Sequence, residues 1–126
     1  MKVHVTINPR AVQSLSKAQA IAVSQTASQL LKDARNSHVI PFDDGTLQNE
    51  SSFVDDSNAT KGIVSIVHDT PYARRLYFNP QYNFNQSKNP NARGEWWEDW
   101  ITGHMRNRPH ELFAQLYARA ARRYVK

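Results

Sequence analysis

Hydrophobic and polar residues alternate at the start of the chain. Val3, Val5 and Ile7 occupy every second position, and polar residues stand between them. A period of two residues is typical of a strand that buries one face and exposes the other. The sequence therefore predicts a half-buried β-strand over residues 2–7.

The spacing of apolar residues then changes to that of a helix. Asn8 followed by Pro9 is a typical helix start, because Asn is a favoured N-cap and a proline at the first helical position lacks an N–H group that would have no partner. From there to about Asn36 the chain has neither Gly nor Pro. We expect a helix of roughly 25 residues with mostly small residues on its core-facing side. That side contains Val12, Leu15, Ala22, Thr26 and Leu30.

Two further strand patterns follow the first helix. Residues 46–55 read as a weak strand that is too polar for the centre of a sheet. Residues 62–68 include an apolar run, rich in β-branched side chains, that is typical of a central, buried strand. Residues 72–78 are expected either to pair as an antiparallel strand or to leave the sheet edge.

The C-terminal part predicts two helices. The first spans residues 95–105, with Gly103 as a candidate for its end, and the second runs from Asn107 and Pro109 to about Val125. We therefore predict an α+β fold, in which a small, mainly antiparallel sheet is packed by the long N-terminal helix and followed by two C-terminal helices. The predicted apolar stripes are Trp97, Trp100, Ile101 and His104 in the first helix, and Phe113, Leu116, Tyr117, Ala120 and Tyr124 in the second.

Length and composition are those of one globular domain over residues 1–126. The chain is 40% hydrophobic and 21% charged, which is ordinary for a folded protein. It contains no cysteine, which excludes a disulfide framework, a thiolate metal site and a cysteine nucleophile. No apolar run approaches the roughly 18–20 residues that span a bilayer, so a membrane partner is not expected.

Charge is distributed unevenly along the chain. Residues 1–70 have six Lys and Arg against seven Asp and Glu, whereas residues 71–126 have ten against four. Such a basic half suits nucleic acid or an acidic protein surface. Arg119, Arg122, Arg123 and Lys126 equally fit the solvated last turns of a helix, where cations complement the helix dipole.

The sequence offers little support for catalysis or metal binding. Among the five histidines no pair has the i, i+4 spacing of a helical zinc site, so His68 and the others are interpreted as surface or strand-end residues. The adjacent pairs Asp43-Asp44 and Asp55-Asp56 are typical of turns in which Asp caps its own backbone. We therefore predict a protein that is not an enzyme and has no cofactor and no metal.

The segment from residue 69 to 99 is dense in aromatic, Asn, Pro and Arg side chains. Irregular segments of this length are usually functional, and Tyr, Trp and Arg are enriched at interface hot spots. Residues 79–93 are expected to form an extended arm or loop that contacts another chain. For Arg74 and Arg75, which are flanked by Tyr72 and Tyr77, an aromatic edge of the core and a platform for single-stranded nucleic acid are the alternatives to a protein interface. The candidate interface residues are Tyr72, Arg74, Arg75, Tyr77, Tyr82, Phe84, Arg93 and Trp96, the last of which lies off the predicted helical stripe.

The same segment carries a family resemblance. DTPYARRLYFNPQYNF, at residues 69–84, and NPNARGEWWEDW, at residues 89–100, are similar to the minor capsid or neck proteins of tailed bacteriophages. IPFDDGTLQNES, at residues 40–51, occupies the place of a turn in that family that contains proline, an acidic residue, Thr or Gly, Leu and Ser. Asp44 stands where that family commonly has Thr.

The resemblance implies a structural virion protein. Such a protein would form part of the neck that joins the DNA-filled head to the tail, as a ring around the DNA channel, hexameric to match the symmetry of the tail. Its partners would be other copies of itself, a head-closure or connector protein on one side and a tail terminator on the other, with DNA passing without specific binding. It would be made in the host cytoplasm before it enters the virion. A tail terminator or tail accessory ring protein, and a small basic nucleic-acid-binding protein, are the alternative interpretations.

Overall fold

The computed structural model describes residues 1–6, 17–37, 39, 52–69, 73–78, 91 and 93–124. They form a three-stranded antiparallel sheet and four α-helices, which confirms the predicted α+β class. The elements in chain order are β1 (Lys2–Thr6), α1 (Lys17–Asn36), β2 (Ser52–Asp55), a 3-10 turn (Ala59–Lys61), β3 (Ile63–His68), α2 (Ala73–Tyr77), α3 (Glu98–Ile101) and α4 (Arg108–Tyr124).

Strand β3 lies at the centre of the sheet, in the order β1-β3-β2. Val3 of β1 and Val54 of β2 both pair with Ile66, one from each side. The central place follows from composition, because every residue of β3 after Ile63 is buried and β-branched side chains suit a strand with both faces covered. The polar strand β2 lies at an edge, as predicted.

Helix α1 packs against the sheet and against α4. Ala18, Ala22, Ala27 and Ala34 are fully buried, and such small side chains let neighbouring elements approach closely. The hydroxyl of Thr26, also buried, donates to the Ala22 carbonyl at 2.7 Å, so it carries no unsatisfied polar group into the core. The predicted start of this helix, residues 9–16, lies outside the described residues.

Residues 73–77 form helix α2. The prediction that this segment pairs as a strand is therefore wrong, and the chain instead leaves the sheet after His68. The sequence Ala-Arg-Arg-Leu-Tyr explains the difference, since Ala, Arg and Leu are strong helix formers and no β-branched residue is present.

The predicted helix over residues 95–105 is reduced to the single turn α3. The amides of Thr102 and Gly103 both donate to the Glu98 carbonyl at 2.9 Å and end the helix there. A Cβ at Gly103 would lie 2.8 Å from the Asp99 Cα, so this close approach requires glycine. Ile101 and His104 are exposed, so their placement in an apolar stripe was wrong, whereas Trp97 and Trp100 of the same stripe are buried.

Helix α4 is present over nearly its predicted length. Among its residues of described burial, Leu112 and Ala120 are buried and Leu116 is half-buried. Phe113 and Tyr117 are also half-buried and stack with 5.9 Å between ring centroids. No helix within the described residues has both the length and the apolar character needed to cross a membrane.

Candidate functional site

His68 is the centre of a buried cluster of polar aromatic side chains. It is the last residue of β3, and the alternation of the strand places it on the same face as Val64 and Ile66, which are fully buried. Its Nε2 accepts hydrogen bonds from Trp97 Nε1 at 2.9 Å and from Trp96 Nε1 at 3.3 Å. Its Nδ1 lies 2.7 Å from the Ser52 hydroxyl of β2.

These contacts fix the protonation state of the His68 ring. An indole N–H can only donate, so Nε2 must carry a lone pair and the single proton of a neutral ring must lie on Nδ1. Nδ1 therefore donates to the oxygen of Ser52. Burial lowers the pKa of His68 to about 4, and the positive charges of the Met1 amino group and of Arg35 act in the same direction.

The Ser52–His68 contact differs chemically from the serine–histidine pair of a hydrolase. In a hydrolase the imidazole offers a lone pair to the hydroxyl and removes its proton. Here the imidazole donates to the hydroxyl, and its other nitrogen is occupied by two indoles. Ser52 is 4% exposed and His68 is fully buried, so substrate has no access to either. The arrangement stabilises the fold and provides no nucleophile.

Trp96 and Tyr77, two of the predicted interface residues, belong to this buried cluster. Trp96 is fully buried and Tyr77 is 5% exposed, with 4.7 Å between their ring centroids. The expectation that Trp96 lies off the packed face was therefore wrong. It rested on helical spacing, but Glu95 has a positive φ of 48° and the helix begins only at Glu98. Both indoles of the Trp96-Trp97 pair consequently face His68.

Arg74 and Arg75, by contrast, are exposed on helix α2. Phe78 follows at the end of this helix and is 59% exposed, with its ring 5.0 Å from that of Tyr77. We call Arg74, Arg75 and Phe78 the α2 surface. It combines two guanidinium groups with an exposed aromatic ring that rests on the buried cluster.

The other candidates are only partly described. Tyr72, Tyr82 and Phe84, with most of the predicted arm, lie outside the described residues. The end of the arm is held at the end of α1, since the Arg93 amide donates to the Val39 carbonyl at 3.0 Å. The side chain of Arg93 is 47% exposed and lies 3.3 Å from the Asp99 carboxylate.

A cavity of about 830 Å³ lies between the end of α1 and the start of α4. Its charged groups are paired, Arg108 with Asp33 at 3.0 Å and Arg93 with Asp99 at 3.3 Å. Trp100 also lines it, and the Trp100 Nε1 is buried without a hydrogen-bond partner in the described part of the chain. Both of these carboxylates are held in ion pairs, while further guanidinium N–H groups of Arg93 and Arg108 remain to bind a polar group.

Sequence reasoning did not identify the His68 cluster. His68 was correctly placed at a strand end, but neither its burial nor its hydrogen-bond partners were predicted. One signal in the sequence could have predicted that His68 is buried. It lies two residues after Ile66, so it shares the buried face of a strand whose other face is buried too. Its partners stand 16, 28 and 29 residues away along the chain, and no local pattern connects them.

Comparisons of the chain with protein-family models, with curated proteins and with solved structures found no significant match.

Proposed function

We propose that this chain is a structural virion protein of a tailed bacteriophage and forms part of the neck between the DNA-filled head and the tail. The proposal rests on the similarity of residues 69–84 and 89–100 to minor capsid or neck proteins. The observation that carries it is that the described part of this segment has a buried and an exposed portion. Tyr77, Trp96 and Trp97 lie in the core, whereas the α2 surface is exposed.

The α2 surface has the composition of a protein contact. Arginine and aromatic residues are enriched at interface hot spots, where they bury large areas and make several hydrogen bonds. An aromatic side chain that is 59% exposed, as Phe78 is, has much apolar area to bury against a partner. Arg74 and Arg75 can pair with carboxylates on the same partner.

The buried cluster anchors one end of this surface. The Glu95 amide donates to the Tyr77 carbonyl at 2.8 Å, so the end of α2 is joined to the segment that holds both indoles on His68. A surface held in one conformation loses little entropy when it binds, which favours assembly from many copies. Its partners in the proposal are other copies in a hexameric ring, a head-closure or connector protein and a tail terminator.

The proposal assigns the protein no enzymatic activity and no cofactor. In this proposal the protein is made in the host cytoplasm and then built into the virion, where the ring surrounds the channel through which DNA passes.

The test is to locate the protein in purified particles. A tagged chain, labelled with antibody and viewed by electron microscopy, should give label only at the head–tail junction. An untagged particle treated in the same way is the control. Label at the far end of the tail, or absence of the chain from particles, would contradict the proposal. Label at the tail side of the junction would favour a tail terminator or tail accessory ring protein.

A further inference from the structure

A second groove, of about 530 Å³, runs between helices α1 and α4 on the surface. Its sides carry three cations, Lys32, Arg108 and Arg119, and between them stand three Gln and one Ser. Leu112 and Leu116 also line it, and none of its lining residues within the described part of the chain has a carboxylate.

The groove has excess positive charge. The guanidinium of Arg108 is compensated by Asp33 at 3.0 Å, but the salt bridges among the described residues include neither Lys32 nor Arg119, and both are exposed. Arg123 follows Arg119 by four residues and so lies on the same side of α4. From Arg108 to Arg123 the cationic side extends roughly 22 Å at 1.5 Å per residue.

The neutral groups of the groove indicate which anion fits it. Gln and Ser side chains, like Arg and Lys, are frequent donors to nucleic-acid phosphates. None of the described residues that line the groove is aromatic, and stacking of unpaired bases, as in single-strand binding sites, needs aromatic side chains. Phe113 and Tyr117 stack on another side of α4, roughly 100° or more around the helix from Leu112. These features favour regularly spaced phosphates whose bases are already paired.

We propose that the groove between α1 and α4 contacts the phosphate backbone of duplex DNA without reading its sequence. This contact identifies the side of the molecule that faces the DNA channel, and that placement in the channel rests on the proposed function. The DNA contact itself does not rest on the proposed function, because it is a property of the isolated protein. With so few uncompensated cations, the dissociation constant at physiological salt is expected at about 10⁻⁴–10⁻⁶ M. Such weak binding lets DNA slide past.

The experiment measures fluorescence anisotropy of a labelled duplex of arbitrary sequence over a series of salt concentrations. The Lys32→Gln/Arg119→Gln variant removes two groove cations. The control, Lys61→Gln/Arg106→Gln, removes two exposed cations that do not line the groove. We expect the groove variant to reduce the slope of log affinity against log salt by about 2, whereas the control changes it little.

A second variant adds negative charge to the groove. Ser28→Glu/Gln115→Glu changes two exposed residues, and circular dichroism checks that the fold is kept. It should abolish duplex binding by placing carboxylates beside the phosphates.

Several results would overturn the assignment. These are no measurable duplex binding by the unaltered protein at low salt, equal loss in the groove and control variants, and tighter binding to a single strand with the same number of phosphates. Tighter, groove-dependent binding of polyglutamate would instead assign the groove to an acidic protein. None of these results moves the antibody label in particles, so failure here is distinct from failure of the proposed function.

Discussion

The indole N–H of Trp97 donates to His68 Nε2 at 2.9 Å, and both side chains are buried. An imidazole nitrogen that accepts from an indole cannot also hold a proton. Protonation of His68 therefore breaks the contacts with Trp96 and Trp97 and places an uncompensated charge in the core.

Stability should consequently fall in mild acid. The pKa of His68 is lowered to about 4 in the fold, against an ordinary value of 6.5, so the unfolded chain binds the proton more readily. The contribution of the neutral ring is present above about pH 6.5 and is lost as the pH falls to about 4, by about 3 kcal/mol in total. Urea unfolding at a series of pH values measures this loss. The control His110→Gln changes an exposed histidine that lies outside the cluster, and the loss of stability in acid should remain. A free energy of unfolding that stays constant between pH 6.5 and 4 would contradict the buried, neutral assignment.

Removal of one indole donor should raise the pKa of His68. Trp97→Phe keeps an aromatic ring but frees Nε2 from its shorter hydrogen bond, so the charged form becomes less unfavourable. The substitution should also reduce the free energy of unfolding by about 1–3 kcal/mol. Trp96→Phe is the matched variant, with a smaller effect expected because its bond is 3.3 Å long. Nitrogen chemical shifts of the imidazole report both the tautomer and the titration. A proton found on Nε2 at neutral pH would contradict the assignment of the His68 proton to Nδ1.

The core of the last helix can be tested with two leucines. Leu112 is 5% exposed, so Leu112→Ala should reduce the free energy of unfolding by about 2–5 kcal/mol. Leu116 is only half-buried, and Leu116→Ala should have a smaller effect. Denaturant unfolding of both variants measures the difference. Equal reductions in the free energy of unfolding would mean that Leu112 and Leu116 are equally buried, which contradicts the orientation of α4 described above.

The α2 surface should matter for assembly and not for folding. Arg74→Ala/Arg75→Ala changes two exposed residues, and denaturant unfolding of the variant checks that the fold is kept. Under the proposed function, free heads and free tails should accumulate while DNA packaging remains normal, as electron microscopy of lysates would show. Lys61→Ala/Arg106→Ala is the control with the same loss of charge. Normal joining in the α2 variant would remove these arginines from the interface.

Local patterns predicted the elements of this fold where the composition of a segment is distinctive. The β-branched run of residues 62–68 identified β3 as the central strand, and the polarity of residues 46–55 placed β2 at an edge. Residues 95–105 were harder, because a left-handed residue at Glu95 and a tight approach at Gly103 limit the helix to one turn.

The candidate site was less predictable for a related reason. His68, Ser52 and the two tryptophans come from three distant segments, so the burial of Trp96 depends on tertiary contacts. Arg74 and Arg75 are exposed, and their role at an interface stays a prediction, based on the local signal of charged residues flanked by aromatics.

The hydrogen bond between the Glu95 amide and the Tyr77 carbonyl has a consequence for how this chain can evolve. It brings the two ends of the segment between Tyr77 and Glu95 to the same point on the domain. The entropy cost of closing a loop grows slowly, by about 0.6 kcal/mol for each doubling of its length. A change in the length of the chain between these two residues therefore costs little closure entropy. Homologues can differ in length there and still keep the contact that joins the end of α2 to the segment holding Trp96 and Trp97.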